Sequence, residues 1–122
     1  MSTFRNLLIW QKSMTLTTQI YQLTSTFPKE EIYGLTSQIR RCSVSIPSNI
    51  AEGYGRESDK EFLRFLNISI GSLFEMQTQL EIAKNIAYIN EDLFNNLYEN
   101  SREVERMIVS FIKKIKERNS PS

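Results

Sequence analysis

The fold is indicated most clearly by residues 58–87, which read SDKEFLRFLNISIGSLFEMQTQLEIAKNIA. Ser58 and Glu61 have the spacing of a capping box, in which each side chain bonds a free backbone N–H at the start of a helix. Apolar and small residues then recur at alternating intervals of four and three, which is typical of a helix that packs along a neighbour. We therefore predict a long helix with this buried stripe: Phe62, Leu66, Ser69, Leu73, Met76, Leu80, Ala83 and Ala87.

Three more amphipathic segments flank this helix. Asn6 and Asn90 are predicted N-caps of the first and last helices, and Pro28 is expected to end the first helix and open the second. The predicted helices span about 7–27, 28–54, 59–87 and 91–118. Short connections favour antiparallel neighbours, so we predict an all-α, up-down-up-down four-helix bundle. The other stripes are Ile9, Leu16, Ile20, Leu23 and Phe27; Ile32, Leu35, Ile39, Cys42, Ile46 and Ile50; and Leu93, Leu97, Val104, Met107, Ile108, Phe111 and Ile115.

Proline and glycine mark special points inside these helices. Pro47 interrupts the second stripe, and we predict a kink there because proline cannot bond the carbonyl of Ser43. Nearby polar side chains are expected to satisfy the freed backbone groups. Gly53 or Gly55 should close the second helix in the left-handed conformation. Gly71 costs helix stability, so it should mark a close approach of another helix. The polar side chains near the proline are Ser43, Ser45, Ser48 and Asn49.

Composition restricts the class of protein. The 122 residues are 40% apolar and 24% charged, which fits one globular domain over residues 1–122. No apolar run reaches the ~18–20 residues that cross a membrane, so we expect no membrane role. The lone Cys42 cannot form an internal disulfide, and we therefore expect a reducing cytoplasm.

No histidine occurs in the chain, so the usual general base and imidazole metal ligand are missing. Cys42 lies on an apolar stripe, where cysteine is usually a small buried hydrophobe. Only a carboxylate cluster holding Mg²⁺ would support an enzyme, and the acidic residues do not have that spacing. We expect no enzyme, metal or cofactor, and assign these acids to solvated helix faces: Glu75, Glu81, Glu99, Glu103 and Glu105.

The predicted bundle separates charge between its ends, although the net charge is only +1. The end formed by the start of helices one and three and the end of helices two and four carries eight basic and five acidic side chains, a balance of +3. We hypothesise that this end contacts the phosphate backbone of RNA or DNA. The predicted contact residues are Arg56, Lys60, Arg64, Lys113, Lys114, Lys116 and Arg118, with Arg5 nearby.

Two alternatives stay open. Lysines in the last turn of a helix also complement its dipole, so the basic end is explained without a ligand. The chain is then a scaffold for another protein, with no nucleic-acid role. Arg40 and Arg41 lie mid-helix, where a subunit interface and nucleic acid are equally good explanations.

The stretch LTSQIRRCSVSIPSNIAEG, residues 35–53, resembles the bacterial four-helix bundle proteins encoded in intervening sequences of 23S rRNA genes. The resemblance continues through residues 10–12, 20–21, 27–28, 55–56, 62–66, 71–73 and Glu75; Cys42 stands where the family usually has alanine. It implies an up-down bundle that forms a ring-like homopentamer. It also implies kinship with the accessory protein of diversity-generating retroelements, which binds nucleic acid and a reverse transcriptase. The expected partners are thus further copies of the chain itself, RNA or DNA, and a protein such as a reverse transcriptase.

Overall fold

The computed structural model describes residues 3–119, and within them the chain is helical with no strand. Four α-helices follow one another as α1 (Leu8–Thr24), α2 (Leu35–Tyr54), α3 (Asp59–Asn85) and α4 (Glu91–Arg118). Single 3₁₀ turns at Phe4–Asn6 and Lys29–Glu31 precede α1 and α2. The predicted all-α, four-helix fold is confirmed. Among the described residues, no helix has the length and apolar character needed to cross a membrane.

Each helix packs against two neighbours, in the cyclic order α1, α2, α3, α4 and back to α1. Side-chain contacts between neighbours pair rising residue numbers on one helix with falling numbers on the other, so each neighbouring pair is antiparallel. The pairs that give this direction are Thr17–Ser43 and Thr24–Arg40, Gln38–Gln79 and Ile46–Ser69, Gln77–Ser101 and Asp59–Arg118, and Lys12–Glu103 and Gln19–Asn100.

The buried stripes follow the prediction with three exceptions. Ile32 and Leu93 were expected in the core but are 58% and 47% exposed. Phe94 takes the place of Leu93, because it continues the alternating spacing of three and four on which Leu97, Ser101 and Val104 are buried, and α4 begins at the predicted Asn90 cap. Ala87 is exposed beyond the end of α3. The remaining predicted apolar residues form one cluster, with Leu35, Met107 and Phe111 half-buried at its edge, and Ser69 is buried beside them.

The starts of α1 and α2 differ from the prediction. Asn6 does not cap α1, since it lies in the preceding 3₁₀ turn and Leu7 is the capping residue. Pro28 opens a 3₁₀ turn rather than a helix, because Gly34 (φ −112°, ψ −116°) breaks the chain away from helical geometry before Leu35. The Glu31 carboxylate then accepts the Leu35 N–H at 3.0 Å. Helix α2 is therefore capped from outside, by a side chain four residues back.

Helix α3 begins at the predicted Ser58 cap, whose hydroxyl accepts the Glu61 N–H at 3.2 Å. At its other end, Ala87 adopts a left-handed φ of 65°. The Tyr88 N–H then bonds the Ala83 carbonyl at 2.9 Å, and the Ala87 N–H bonds Lys84 at 3.0 Å. These two bonds are the Schellman closure, which glycine usually provides. Because alanine occupies the position where glycine is usual, the sequence gives no clear signal for the end of this helix.

Glycines have different roles from those predicted. Gly55 follows the end of α2 with φ −79°, so the left-handed closure expected at Gly53 or Gly55 is wrong. Gly71 is also not a contact point, since a Cβ there would meet nothing within 4 Å. The close approach lies at Gly53, where a Cβ would stand 2.7 Å from the Phe65 Cβ and 2.9 Å from Phe62 Cδ1. Only glycine lets α2 and α3 approach this closely.

Pro47 lies inside the continuous helix α2. Its missing N–H leaves the Ser43 carbonyl without its helical partner. Thr17 of α1 supplies a donor, because its hydroxyl lies 2.8 Å from the Ser43 oxygen, closer than the 3.0 Å to the Ser13 carbonyl of its own helix, and both Thr17 and Ser43 are buried. The serines around Pro47 were expected to satisfy such groups; the donor instead comes from a neighbouring helix, while Asn49 Nδ2 bonds the Ser45 carbonyl at 2.8 Å. The kink at Pro47 stays a prediction.

Replacing Thr17 with valine tests this contact. The shape is kept, but the buried Ser43 carbonyl loses its donor, which should cost about 1–3 kcal/mol of unfolding free energy. Thr15→Val is the matched control, since Thr15 is exposed and bonds only the Gln11 carbonyl of its own helix. Urea denaturation of the variants should show a clear loss for Thr17→Val alone. Equal stabilities would show that the contact between α1 and α2 is unimportant.

Candidate nucleic-acid interface

Aromatic contacts gather the ends of three helices at one pole of the bundle. The Tyr54 ring meets Phe62 edge-on with centroids 6.1 Å apart, and Phe62 meets Phe111 in the same way at 5.7 Å. Leu8 and Ile9 at the start of α1 line a groove together with Phe111. All four helices therefore meet here, and we call this end the basic pole.

An ion pair joins the start of α3 to the end of α4 at the basic pole. Arg118 donates two hydrogen bonds to Asp59, at 2.6 and 2.9 Å, and Asn119 Nδ2 donates a third at 2.8 Å. These bonds lower the pKa of Asp59 to about 2, with Arg118 as the main cause. Arg118 was predicted to contact phosphate, but its guanidinium is engaged inside the protomer.

Arg56 and Arg64 lie over the same aromatic ring. Their guanidinium carbons stand 4.8 and 4.6 Å from the Phe65 centroid, a cation–π arrangement. Each also faces an acid: Arg56 lies 3.6 Å from Glu52, and Arg64 lies 3.1 Å from Glu61. Arg64 accordingly lowers the pKa of Glu61. The two arginines are thus oriented by the ring, and their charge is partly offset by carboxylates.

The lysines of the predicted set are exposed at the same pole: Lys60, Lys113, Lys114 and Lys116. Arg5 is also exposed, with its guanidinium 5.7 Å from the Trp10 ring. Lys60 lies close enough to Glu61 to help lower the pKa of that carboxyl group. The structure therefore brings the predicted residues together and divides them into paired arginines and solvent-exposed lysines.

Arg40 and Arg41 lie away from the basic pole. Arg40 Nε donates to Thr24 Oγ1 at 2.8 Å, and its guanidinium lies 4.6 Å from the centre of the Tyr21 ring. This side chain is half-buried and fastens α2 to α1. Arg41 is exposed on the outer side of α2. Of the pair, Arg41 alone presents its charge to solvent.

The sequence reasoning missed a groove between α1 and α4, which we call the α1–α4 groove. It has a volume of about 390 Å³ and opens beside the basic pole. The spacing of Arg106, Ser110 and Lys114, four residues apart on one edge of α4, is the signal that would have indicated it. The lining residues are Leu8, Ile9, Glu103, Arg106, Met107, Ser110, Phe111 and Lys114.

The opposite end of the bundle, which we call the acidic pole, carries five acidic and two basic side chains: Glu30, Glu31, Glu81, Glu91 and Asp92 against Lys29 and Lys84. A half-buried hydrogen bond joins its two connections. Tyr88 donates its hydroxyl to Glu31 at 2.7 Å, which lowers the pKa of Glu31 and raises that of Tyr88. Because Glu31 also caps α2, this carboxylate joins the α1–α2 connection to the α3–α4 connection. Beside it, Ile32 and Tyr33 are 58% and 95% exposed.

The residues considered for catalysis have structural contacts. The Cys42 thiol donates to Glu75 at 2.7 Å, and burial, with the Glu75 carboxylate as a further cause, raises its pKa to about 12. The thiol therefore stays protonated. Glu103 pairs with Lys12 at 3.1 Å, and Glu105 pairs with Arg102 at 2.7 Å. Residues 3–119 contain no group of three or more side chains that could hold a metal ion.

A family model described as 23S rRNA-intervening sequence protein matches residues 5–110 of the chain. The chain belongs to this family. Comparison with curated proteins finds no match. Among solved structures, the chain is similar to a protein of unknown function from the S23 ribosomal protein family of Bacteroides thetaiotaomicron, a crystal structure at 1.70 Å resolution. The two share 25% identity with a TM-score of 0.78, over 87% of this chain and 99% of that one.

The Asp59 contact makes stability depend on pH. The folded-state pKa lies below the ordinary value of 3.8, so the ion pair stabilises the fold above that pH and is lost as pH falls towards about 2. The melting-temperature difference between the wild type and Asp59→Asn should be largest at neutral pH and shrink over this interval. Circular dichroism melts check it, with Asp92→Asn as control, since Asp92 occupies the first turn of α4 but is exposed. A constant difference at all pH values would contradict the assignment.

Proposed function

We propose that this family member is a non-enzymatic bundle that assembles with copies of itself and binds RNA or DNA through the basic pole. The observation that carries the proposal is the exposure of Lys60, Lys113 and Lys114 beside arginines that already pair with acids. Exposed ammonium groups contact phosphates without breaking any internal ion pair. Phosphate contacts of this kind release counterions and do not depend on sequence. A reducing cytoplasm is the proposed compartment.

Neutralising the lysines tests the binding role. The variant Lys113→Gln/Lys114→Gln/Lys116→Gln should bind structured RNA and duplex DNA more weakly than the wild type. If each lysine meets one phosphate, the slope of log affinity against log salt should fall in magnitude by up to about 2.7, because each neutralised phosphate contributes about 0.9. Fluorescence anisotropy at several salt concentrations measures both quantities.

The control variant is Lys29→Gln, which removes an exposed charge away from the basic pole. It should keep the wild-type affinity apart from a small effect of net charge. Binding that survives unchanged in the triple lysine variant would count against the basic pole. If the control loses as much affinity as the triple lysine variant, the loss is explained by net charge and not by contacts at the basic pole.

A protein scaffold is the second candidate function, and one observation favours it. Tyr33 is 95% exposed and Ile32 is 58% exposed at the acidic pole, and tyrosine is enriched at the centres of protein interfaces. The family resemblance makes a reverse transcriptase one such partner. A folded, assembled protein that binds no nucleic acid at low salt would favour this function over the first.

Self-assembly is proposed from two apolar surfaces on different sides of the protomer. One is the outer edge of α3, where Ile68, Phe74 and Ile82 are 40–47% exposed. The other is an apolar groove of about 360 Å³ between α1 and α2, lined by Trp10, Met14, Thr17, Val44, Pro47, Ser48 and Ala51. A ring needs a head-to-tail interface made of two different surfaces, as these are. The homopentamer that the resemblance implies would use them in turn.

Phe74→Ser should dissociate the assembly. Phe74 is 47% exposed, so the protomer should fold as before while the α3 surface loses its largest side chain. Sedimentation velocity should give a homopentamer for the wild type and a smaller species for the variant. Leu93→Ser is the matched control, because Leu93 is also 47% exposed but lies in the first turn of α4, outside the residues of both surfaces. A monomeric wild type, or a variant of unchanged mass, would contradict the proposed interface.

A further inference from the structure

The α1–α4 groove combines a short apolar floor with a basic edge. Leu8, Ile9, Met107 and Phe111 supply the apolar side chains, and Leu8 remains 57% exposed. The Phe111 ring is held edge-on by Phe62 at 5.7 Å, so its orientation is fixed before any ligand binds. The groove therefore offers a preformed apolar surface at the start of α1.

The edge of this groove carries uncompensated positive charge. Glu103 is the single acidic residue of the lining, and Lys12 already pairs with it at 3.1 Å. Arg106 and Lys114 form no ion pair with any acid in residues 3–119. They lie eight residues apart on α4, about 12 Å along the helix axis. Lys114 adjoins Lys113, so the groove continues the basic pole.

We infer that the α1–α4 groove receives an unpaired base of a single-stranded nucleic acid whose phosphates contact Arg106 and Lys114. The inference rests on the proposed function and names its ligand class. Single-strand binding commonly joins a basic track to an aromatic surface on which a base stacks. A duplex encloses its bases, so it reaches the basic pole with its backbone alone.

The length of the floor favours a base over a peptide helix. Met107 and Phe111 are one helical turn apart, and Leu8 and Ile9 are adjacent. An amphipathic helix uses anchors at i, i+3, i+4 and i+7, which need an apolar groove about two turns long. One planar ring fills a floor of one turn. Arg106 and Lys114 lie at the two ends of that turn, so they can contact the phosphates on either side of the base.

Binding of a fluorescent oligothymidylate and of an abasic oligonucleotide of equal length tests the inference. Both strands carry the same phosphates, but only the first has bases. The wild type should bind the oligothymidylate roughly tenfold more tightly, the size expected for stacking one base. Phe111→Leu and Leu8→Ser should bring this ratio close to unity and leave the affinity for the abasic strand unchanged.

Controls separate this inference from the proposed function. Val109→Ser, on the same helix but outside the groove, should keep the wild-type ratio, and the triple lysine variant should weaken binding of both strands. Leu8→Ser keeps the test valid if Phe111→Leu unfolds, because Leu8 is largely exposed. A wild-type ratio of one, with lysine-dependent binding of both strands, overturns the base site and leaves the basic pole standing. No binding of either strand overturns the base site, and absence of binding to structured RNA and duplex DNA as well overturns the proposed function.

A peptide ligand would give a different result. An acidic amphipathic peptide that binds more tightly than the oligothymidylate, and loses that binding in Leu8→Ser, would assign the groove to a protein helix. This outcome overturns the inference.

Discussion

The carbonyl of Ser43 is the constraint on which the packing of α1 and α2 depends. Pro47 removes its helical donor, and a buried carbonyl without a partner is costly. The hydroxyl of Thr17, 2.8 Å away, satisfies it and thereby fixes both the register and the separation of the two helices. Arg40 extends the same contact one turn further, through Thr24 and the Tyr21 ring. The hydrogen bond that α2 lacks at Pro47 is thus replaced by a hydrogen bond between α1 and α2.

The α2–α3 contact depends on small residues in the same way. Gly53 leaves no room for a Cβ against Phe65, and Ser69 donates to the Ile46 carbonyl at 2.9 Å. Every buried side-chain nitrogen and oxygen in residues 3–119 has a hydrogen-bond partner. Buried hydrogen bonds between polar side chains and neighbouring helices therefore fix how the helices are aligned lengthwise. The apolar stripes stabilise the bundle by burial, which is not directional and does not by itself fix this alignment.

The alignment of the four helices also determines which charged residues lie together at each pole. Antiparallel packing brings the lysine-rich end of α4 beside the start of α3, where Asp59 and Arg118 join the helices. At the other end, Glu31 holds Tyr88 and the first N–H of α2. Acids bond to groups at both ends, and at the basic pole they pair with Arg56, Arg64 and Arg118 while Lys60, Lys113 and Lys114 stay exposed. This difference is why the nucleic-acid proposal rests on the lysines rather than on the arginines.

Helical periodicity and short connections are enough to predict the four helices, most of the core and the gathering of basic residues at one end. Tertiary structure decided which charges are exposed, where glycine is needed and which group satisfies Ser43. Gly71 and Gly53 are both helical glycines in the sequence, yet only Gly53 faces a neighbouring backbone. Such outcomes depend on distances between residues far apart in the chain, which no local pattern contains. The α1–α4 groove belongs to the same class, since residues 8 and 111 meet only after the bundle closes.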